Sequence, residues 1–163
     1  MKKSKKEEEF IKMMLPTIIP LAEKIANLKY IPGSKAYFLS PMGFIYQIDE
    51  VYQHSVLLIP KKPSPQNNGY CNASLYFYDG HIEHKTIHPM MMEAYFGKRP
   101  YKAQIHHKDH HRWNNSLSNL EYVSPEVHYD LHATKDKYDA KAEEKLFDDW
   151  WQLWKDEYLE IFF

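Results

Sequence analysis

"IHHKDHHRWNNSLSNLEYVSPEVHYDLHA", residues 105–133, holds six of the ten histidines in the chain, together with three asparagines. Neither side chain makes a good core, so their concentration asks for another explanation. The local pattern is strand, loop, strand, helix. YKAQIHH fits a short strand, Lys108 to Ser118 form a polar loop rich in Asn, and NLEYV fits a second strand. Ser124 is a good N-cap and Pro125 suits a first helical position, so EVHYDLHATKD should be a helix. On that helix His128 and His132 are four residues apart and share a face. His106 and His107 are neighbours on a strand, where side chains alternate, so the two rings serve different tasks.

That division suits hydrolysis of a phosphodiester. The reaction needs a base to take a proton from water, and a neutral imidazole serves near physiological pH. It also needs a cation to absorb charge on the phosphate and the departing oxygen. One strand histidine can act as the base while the other joins the helix histidines around an ion. Three imidazoles with an open position are the pattern of a catalytic site rather than a closed structural one.

The rest of the chain bounds this reading. At 163 residues, with 44% apolar and 15% aromatic, the chain can bury a core of its own. A single cysteine, Cys71, excludes a disulfide framework and a cysteine-built zinc site, which leaves nitrogen and oxygen ligands for any ion. No run approaches the roughly 18 apolar residues of a membrane span, so no membrane partner is expected and the protein is expected to be soluble and cytoplasmic. The net charge of −1 hides a segregation. Lys29 to Arg112 carries ten Lys and Arg against six Asp and Glu, whereas Thr134 to Phe163 carries five against nine. A basic middle permits a nucleic-acid partner without establishing one.

Working outward, residues 1–28 read as an N-terminal helical segment that Pro16 and Pro20 break or kink. Residues 29–100 read as a β-rich module with a short helix. Its strand-forming runs are AYFLS, MGFIYQI, SVLLIP and YCNASLYFY, with a hairpin turn at Asp79–Gly80 leading into HIEHKTIH. PMMMEAYFG carries Pro89 as a start signal and Gly97 as a stop. Residues 101–136 form the histidine-rich finger. Residues 137–163 read as an acidic, aromatic C-terminal helix, with Leu146, Trp150, Leu153, Trp154 and Ile161 at mostly helical spacing. Trp150, Trp151 and Trp154 are read as core-forming, and an aromatic face there also offers a surface for a protein partner.

The segment HHKD, NNSLSNLEYVS and the helix reaching His128 resembles the HNH endonuclease motif, the ββα-metal finger, in its phage and intron homing form. KYIPGSKAYFLSPMGFIY is similar to the module that often precedes this finger, and TIHPMMMEAYFG is similar to a further segment of the family. The resemblance covers about residues 29–133. It implies an α+β fold with a small antiparallel β module, a ββα-metal finger and helices at both ends. It also implies a metal-dependent DNA endonuclease whose products carry 5′-phosphate and 3′-hydroxyl ends.

By the same resemblance His107 is the general base, Asn119 holds the finger loop and the base in position, and His106 and His128 bind one divalent cation. His132, one turn on, is a candidate third ligand. The sequence departs from the homing pattern at two positions: His106 stands where Asp or Asn is common, and His128 replaces a common Asn. Both make the site more like that of the colicin nucleases, and nitrogen ligands shift the expected ion from Mg toward Mn, Zn or Ni. Lys98, Arg99, Lys102, Lys108, His110, His111 and Arg112 are candidate contacts to DNA phosphates. Asn114 and Asn115 read as turn residues, and His88 as a packing residue. The alternative from another class is a catalytically weak or inactive finger that binds nucleic acid or serves phage assembly. RNA ranks below DNA because no aromatic RNA-binding signature is present.

Overall fold

Ser4 opens the first helix by accepting the Glu7 amide, and helix α1 then runs from Lys5 to Ala26, where Asn27 closes it in the left-handed conformation. The computed structural model describes residues 2–128 and 139–163. In it α1 continues through both Pro16 and Pro20, so the expected break does not occur. Each proline costs about 3 kcal/mol or more in a helix interior. Against that, Ile11, Leu15, Ile18 and Ala22 form one stripe buried on the main sheet. Burial of Ile11, Leu15 and Ile18 contributes about 1.5–3 kcal/mol each, together about the size of that penalty.

The main sheet is five-stranded and antiparallel, in the order β1 (Lys29–Tyr30), β2 (Tyr37–Leu39), β3 (Ile45–Val51), β4 (Ser55–Lys61) and β10 (Leu159–Phe162). All three residues of β2 are buried, and they alternate between two hydrophobic clusters. Phe38 joins the cluster under α1, while Tyr37 and Leu39 join one formed with Leu75, Met91, Ile105, Leu120 and Phe147. The sheet is thus covered on both faces, and its second face is what the finger packs against.

A three-stranded sheet follows, made of β5 (Ser64–Pro65), β6 (Cys71–Tyr76) and β7 (Ile82–Thr86). The Asp79–Gly80 turn joins β6 to β7 as expected, with Gly80 at a positive φ of 95°. Helix α2 spans Ile87–Phe96. It starts two residues before Pro89, which sits in the first turn where a missing N–H costs nothing. The finger consists of β8 (Gln104–His107), a 3₁₀ turn (Leu117–Asn119), β9 (Leu120–Val123) and a helix α3 described over 125–128.

Helix α4 (Ala140–Trp154) is capped by Asp139, which accepts from the Lys141 and Ala142 amides. The expected helix to the C-terminus stops here. LEIF instead forms β10, paired with β4 in the register Leu159↔Leu58 and Ile161↔Val56. Its alternation explains the correction: Ile161 is buried while Glu160 and Phe162 are exposed, a period of two that suits the open edge of β4. Trp151 is buried in the core, and Trp150 and Trp154 pack against it. Among the described residues no helix is long and apolar enough to cross a membrane.

One turn couples the β module to the finger. Gly43 has φ 84°, and a Cβ there would lie 2.4 Å from the Asn115 carbonyl carbon and 2.7 Å from the Ser116 amide. The Leu117 amide donates to the Pro41 carbonyl at 2.9 Å. Only glycine allows both the conformation and this approach, and the contact fixes the backbone of Asn115.

Candidate active site

The β8–β9 hairpin sets the geometry. Its register pairs His106 with Glu121 and His107 with Leu120. Strand alternation then sends the two rings to different surroundings. The His106 ring lies 5.0 Å from that of His110 and 6.1 Å from that of His128, edge-on to both. The His107 ring lies 5.2 Å from His88 and 5.8 Å from Tyr70.

On the first side, His106 Nδ1 is 3.0 Å from Glu121 Oε1. A carboxylate accepts only, so Nδ1 carries the proton and Nε2 keeps its lone pair. A carboxylate behind a histidine is the arrangement that orients and strengthens metal-binding imidazoles. Two imidazoles bound to one ion at about 2.1 Å bring their ring centres to about 5–6 Å, close to the spacing of His106 to His110 and to His128. Among the described residues no group of three or more His, Cys, Asp or Glu is ready to hold an ion. The His106–His128 pair offers two nitrogen donors at a spacing that suits a shared ion, and a divalent ion held there would need further ligands from beyond the pair. His132 lies outside the described residues. His110, read from sequence as a DNA contact, adopts φ 64° and lies against His106.

On the second side, His107 is 4% exposed, and its Nε2 is 2.9 Å from Asn115 Oδ1. The amide oxygen accepts, so Nε2 bears the proton and Nδ1 the lone pair. Burial lowers the pKa of His107 to about 4, opposed by the Asn115 bond and the Asp109 charge and assisted by His106 and Arg112. The pocket is polar and aromatic, not packed hydrocarbon, and it keeps the ring neutral, as a base must be.

Asn119 organises the loop between the strands. Its Oδ1 accepts the Asp109 amide, and its Nδ2 donates to Asp109 Oδ1 and to the Asn114 carbonyl, each at 2.9 Å. The direct partner of His107 is Asn115, which the sequence suggested only as a turn residue. His88 was expected to be a packing residue; its ring stacks on Tyr70 at 4.8 Å. Its buried Nδ1 has no hydrogen-bond partner among the described residues. Burial, then the neighbouring His107 and Arg99, push its pKa down to about 3.

Burial likewise lowers the pKa of His128, with His106 and Arg112 adding to the shift. Lys98, Arg99, Lys102 and Lys108 are exposed on the chain flanking β8. His111 turns elsewhere: its Nδ1 is 3.0 Å from Glu143 of α4, and that carboxylate also accepts Trp113 Nε1 at 3.0 Å. Arg112 donates to the Asn68 carbonyl and sits 5.0 Å over the Tyr70 ring.

The paired depression of His88 and His107 has a measurable consequence. Both ordinary values are 6.5, so on acidification the unfolded chain takes up these protons before the folded one does. Stability from the neutral rings is intact above about pH 6.5 and is lost as pH falls toward 4 and then 3. Between pH 6 and 5, urea unfolding of the ion-free protein should show stability falling by about 1.4 kcal/mol per pH unit for each ring. His88→Phe should reduce the slope by one ring's worth. A flat profile across that interval would contradict the burial of both rings in neutral form.

A family model for HNH endonucleases matches residues 85–129, from the end of β7 through α3. That match covers 45 of the 163 residues and falls on the finger, in a mixed α+β fold with antiparallel sheets. Among solved structures, one of the HNH homing endonuclease I-HmuI, described for DNA binding and cleavage, is similar with a TM-score of 0.51 and 18% sequence identity. The alignment covers 74% of this chain and 66% of that one, so the chain spans just under two thirds of the length of that enzyme. At this identity the likeness establishes the fold. A comparison with curated proteins gave no match.

Proposed function

We propose that the chain is a metal-dependent DNA endonuclease that cuts one strand at a time. The observation that carries this reading is the division of labour on β8, where Glu121 holds the His106 ring toward His128 and Asn115 holds the His107 ring on the other side. DNA as the substrate is supported by the HNH match and by the DNA binding and cleavage described for I-HmuI.

His106 Nε2 and His128 would hold one divalent cation, Mg, Mn, Zn or Ni, with His132 or His110 as a further ligand. When bound, the ion supplies positive charge where negative charge builds up on the phosphate and the departing oxygen. His107 Nδ1 takes a proton from a water molecule as its oxygen bonds to phosphorus. The bond from phosphorus to the 3′ oxygen breaks, and that oxygen leaves as a hydroxyl after protonation, with the phosphate retained on the 5′ end. Asn119 keeps the loop closed around Asp109, and Asn115 keeps the proton on the far nitrogen of His107. Lys98, Arg99, Lys102 and Lys108 are exposed cations suited to neighbouring phosphates. The reading implies work inside the cell, where DNA is found.

One finger offers one active centre. Supercoiled plasmid incubated with Mn or Mg should therefore pass first to open circle on a gel, with linear DNA only later. Linear product appearing directly at low protein concentration would contradict single-strand cutting.

A further inference from the structure

The β5–β6 connection, outside the finger, reaches into the site just described. Residues 66–70 form a closed turn: the Gln66 amide donates to the Tyr70 carbonyl at 2.9 Å, the Gly69 amide to the Gln66 carbonyl at 2.8 Å, and the Tyr70 amide to Asn68 Oδ1 at 3.1 Å. This rigid turn presents the Tyr70 ring and the Asn68 carbonyl. The ring stacks on His88 and lies 5.8 Å from His107, so it sits beside the base. Arg112, from the finger loop, is fastened to the same turn twice, with its guanidinium carbon 5.0 Å over the Tyr70 ring and one nitrogen donating to the Asn68 carbonyl at 2.5 Å.

A guanidinium on an exposed loop loses much side-chain freedom when it is held this way. Stacking on an aromatic face and a carbonyl bond fix its plane, and a fixed planar fork matches two phosphate oxygens at once. The Tyr70 ring that Arg112 covers lies 5.8 Å from the His107 ring, which places the guanidinium on the base side of the site. A phosphate brought beside His107 would meet this fork.

We infer that Arg112 is a catalytic residue that binds the non-bridging oxygens of the scissile phosphate, and that Tyr70 is the positioning residue that holds it there. The active centre is then composite, built from the finger and from the module before it. The inference rests on the nuclease reading. It adds that the module takes part in the chemical step.

The test is single-turnover cleavage of supercoiled plasmid with Mn at saturating protein, alongside DNA affinity and thermal melting for each variant. Loss of one preorganised donor to developing charge costs about 10²–10³ in the chemical rate. Arg112→Ala should show a fall of about 100-fold at saturation, with DNA affinity within a few-fold of wild type. Arg112→Lys, which keeps the charge and folds readily, should stay well below wild type because the fork is lost. Tyr70→Ala should reproduce part of the loss, and Tyr70→Phe, which keeps the platform, should cut near the wild-type rate. A rate at saturation that is unchanged in Arg112→Ala, with weakened affinity alone, would make Arg112 a remote phosphate contact and overturn the inference. A Tyr70→Ala protein as fast as wild type would overturn the positioning role. Wild-type protein that cuts with none of Mn, Mg, Zn or Ni would overturn the nuclease reading and this inference with it.

Discussion

His107→Ala should lower the plasmid-cutting rate by about 10²–10⁴-fold, the usual contribution of a positioned general base, while leaving ion binding and DNA affinity close to wild type. The expectation follows from the ring's surroundings. The His107 ring packs against His88 and Tyr70 while His106 packs against His110 and His128, so removing His107 leaves the proposed ion ligands in place. The substitution opens a buried space and strips Asn115 Oδ1 of its donor, at a cost of about 1–3 kcal/mol. His107→Gln, which can keep a donor near Asn115, separates that cost from catalysis: it should recover stability without recovering the rate. A His107→Ala protein that nicks plasmid as fast as wild type would remove His107 from the mechanism. A wild-type protein that binds DNA but never cuts it would favour the inactive-finger alternative.

The second large effect is on the ion. His128→Ala should weaken Mn or Zn binding, measured by titration calorimetry, by more than about 100-fold, because changing even the hydrogen-bonded partner of a ligand costs about 10–100-fold. Glu121→Gln gives that smaller change directly, since the amide no longer provides a charged acceptor at His106 Nδ1. His106→Ala should match His128→Ala, and cutting should fall in parallel with ion affinity in all three. His110→Ala decides whether the neighbouring ring is a ligand: it too should lose affinity if it is, and should leave it unchanged if His132 fills that position. Unaltered ion affinity in both His106→Ala and His128→Ala would exclude the proposed pair.

Much of this was legible in the sequence because the signals are local. Adjacent histidines before an Asn-rich loop, followed by a Ser–Pro helix start, mark a strand, loop, strand and helix; the two strands and the loop form, and the helix starts at Pro125, with its expected residues beyond His128 outside the described residues. Glu121 was also within reach: once His107 is placed opposite Leu120, the hairpin register puts Glu121 opposite His106. Tyr70, His88 and the Gly43 turn were not legible as parts of the site, because each meets the finger through tertiary packing that leaves no periodic trace. Asn115 was hidden by its own commonness, since an asparagine in a polar loop is usually a turn former. The two misjudged helices share one cause. Prolines in α1 and the helical spacing of Ile161 are local cues, and burial of an apolar stripe overrode the first while an open sheet edge overrode the second.

The measurement that bears most directly on the central claim is anomalous diffraction from crystals of the protein soaked in Mn. A single strong peak should lie within bonding distance of His106 Nε2 and the His128 ring, with His107 uncoordinated and still hydrogen-bonded to Asn115. A peak bonded to His107, or an ion bound away from both His106 and His128, would contradict that claim.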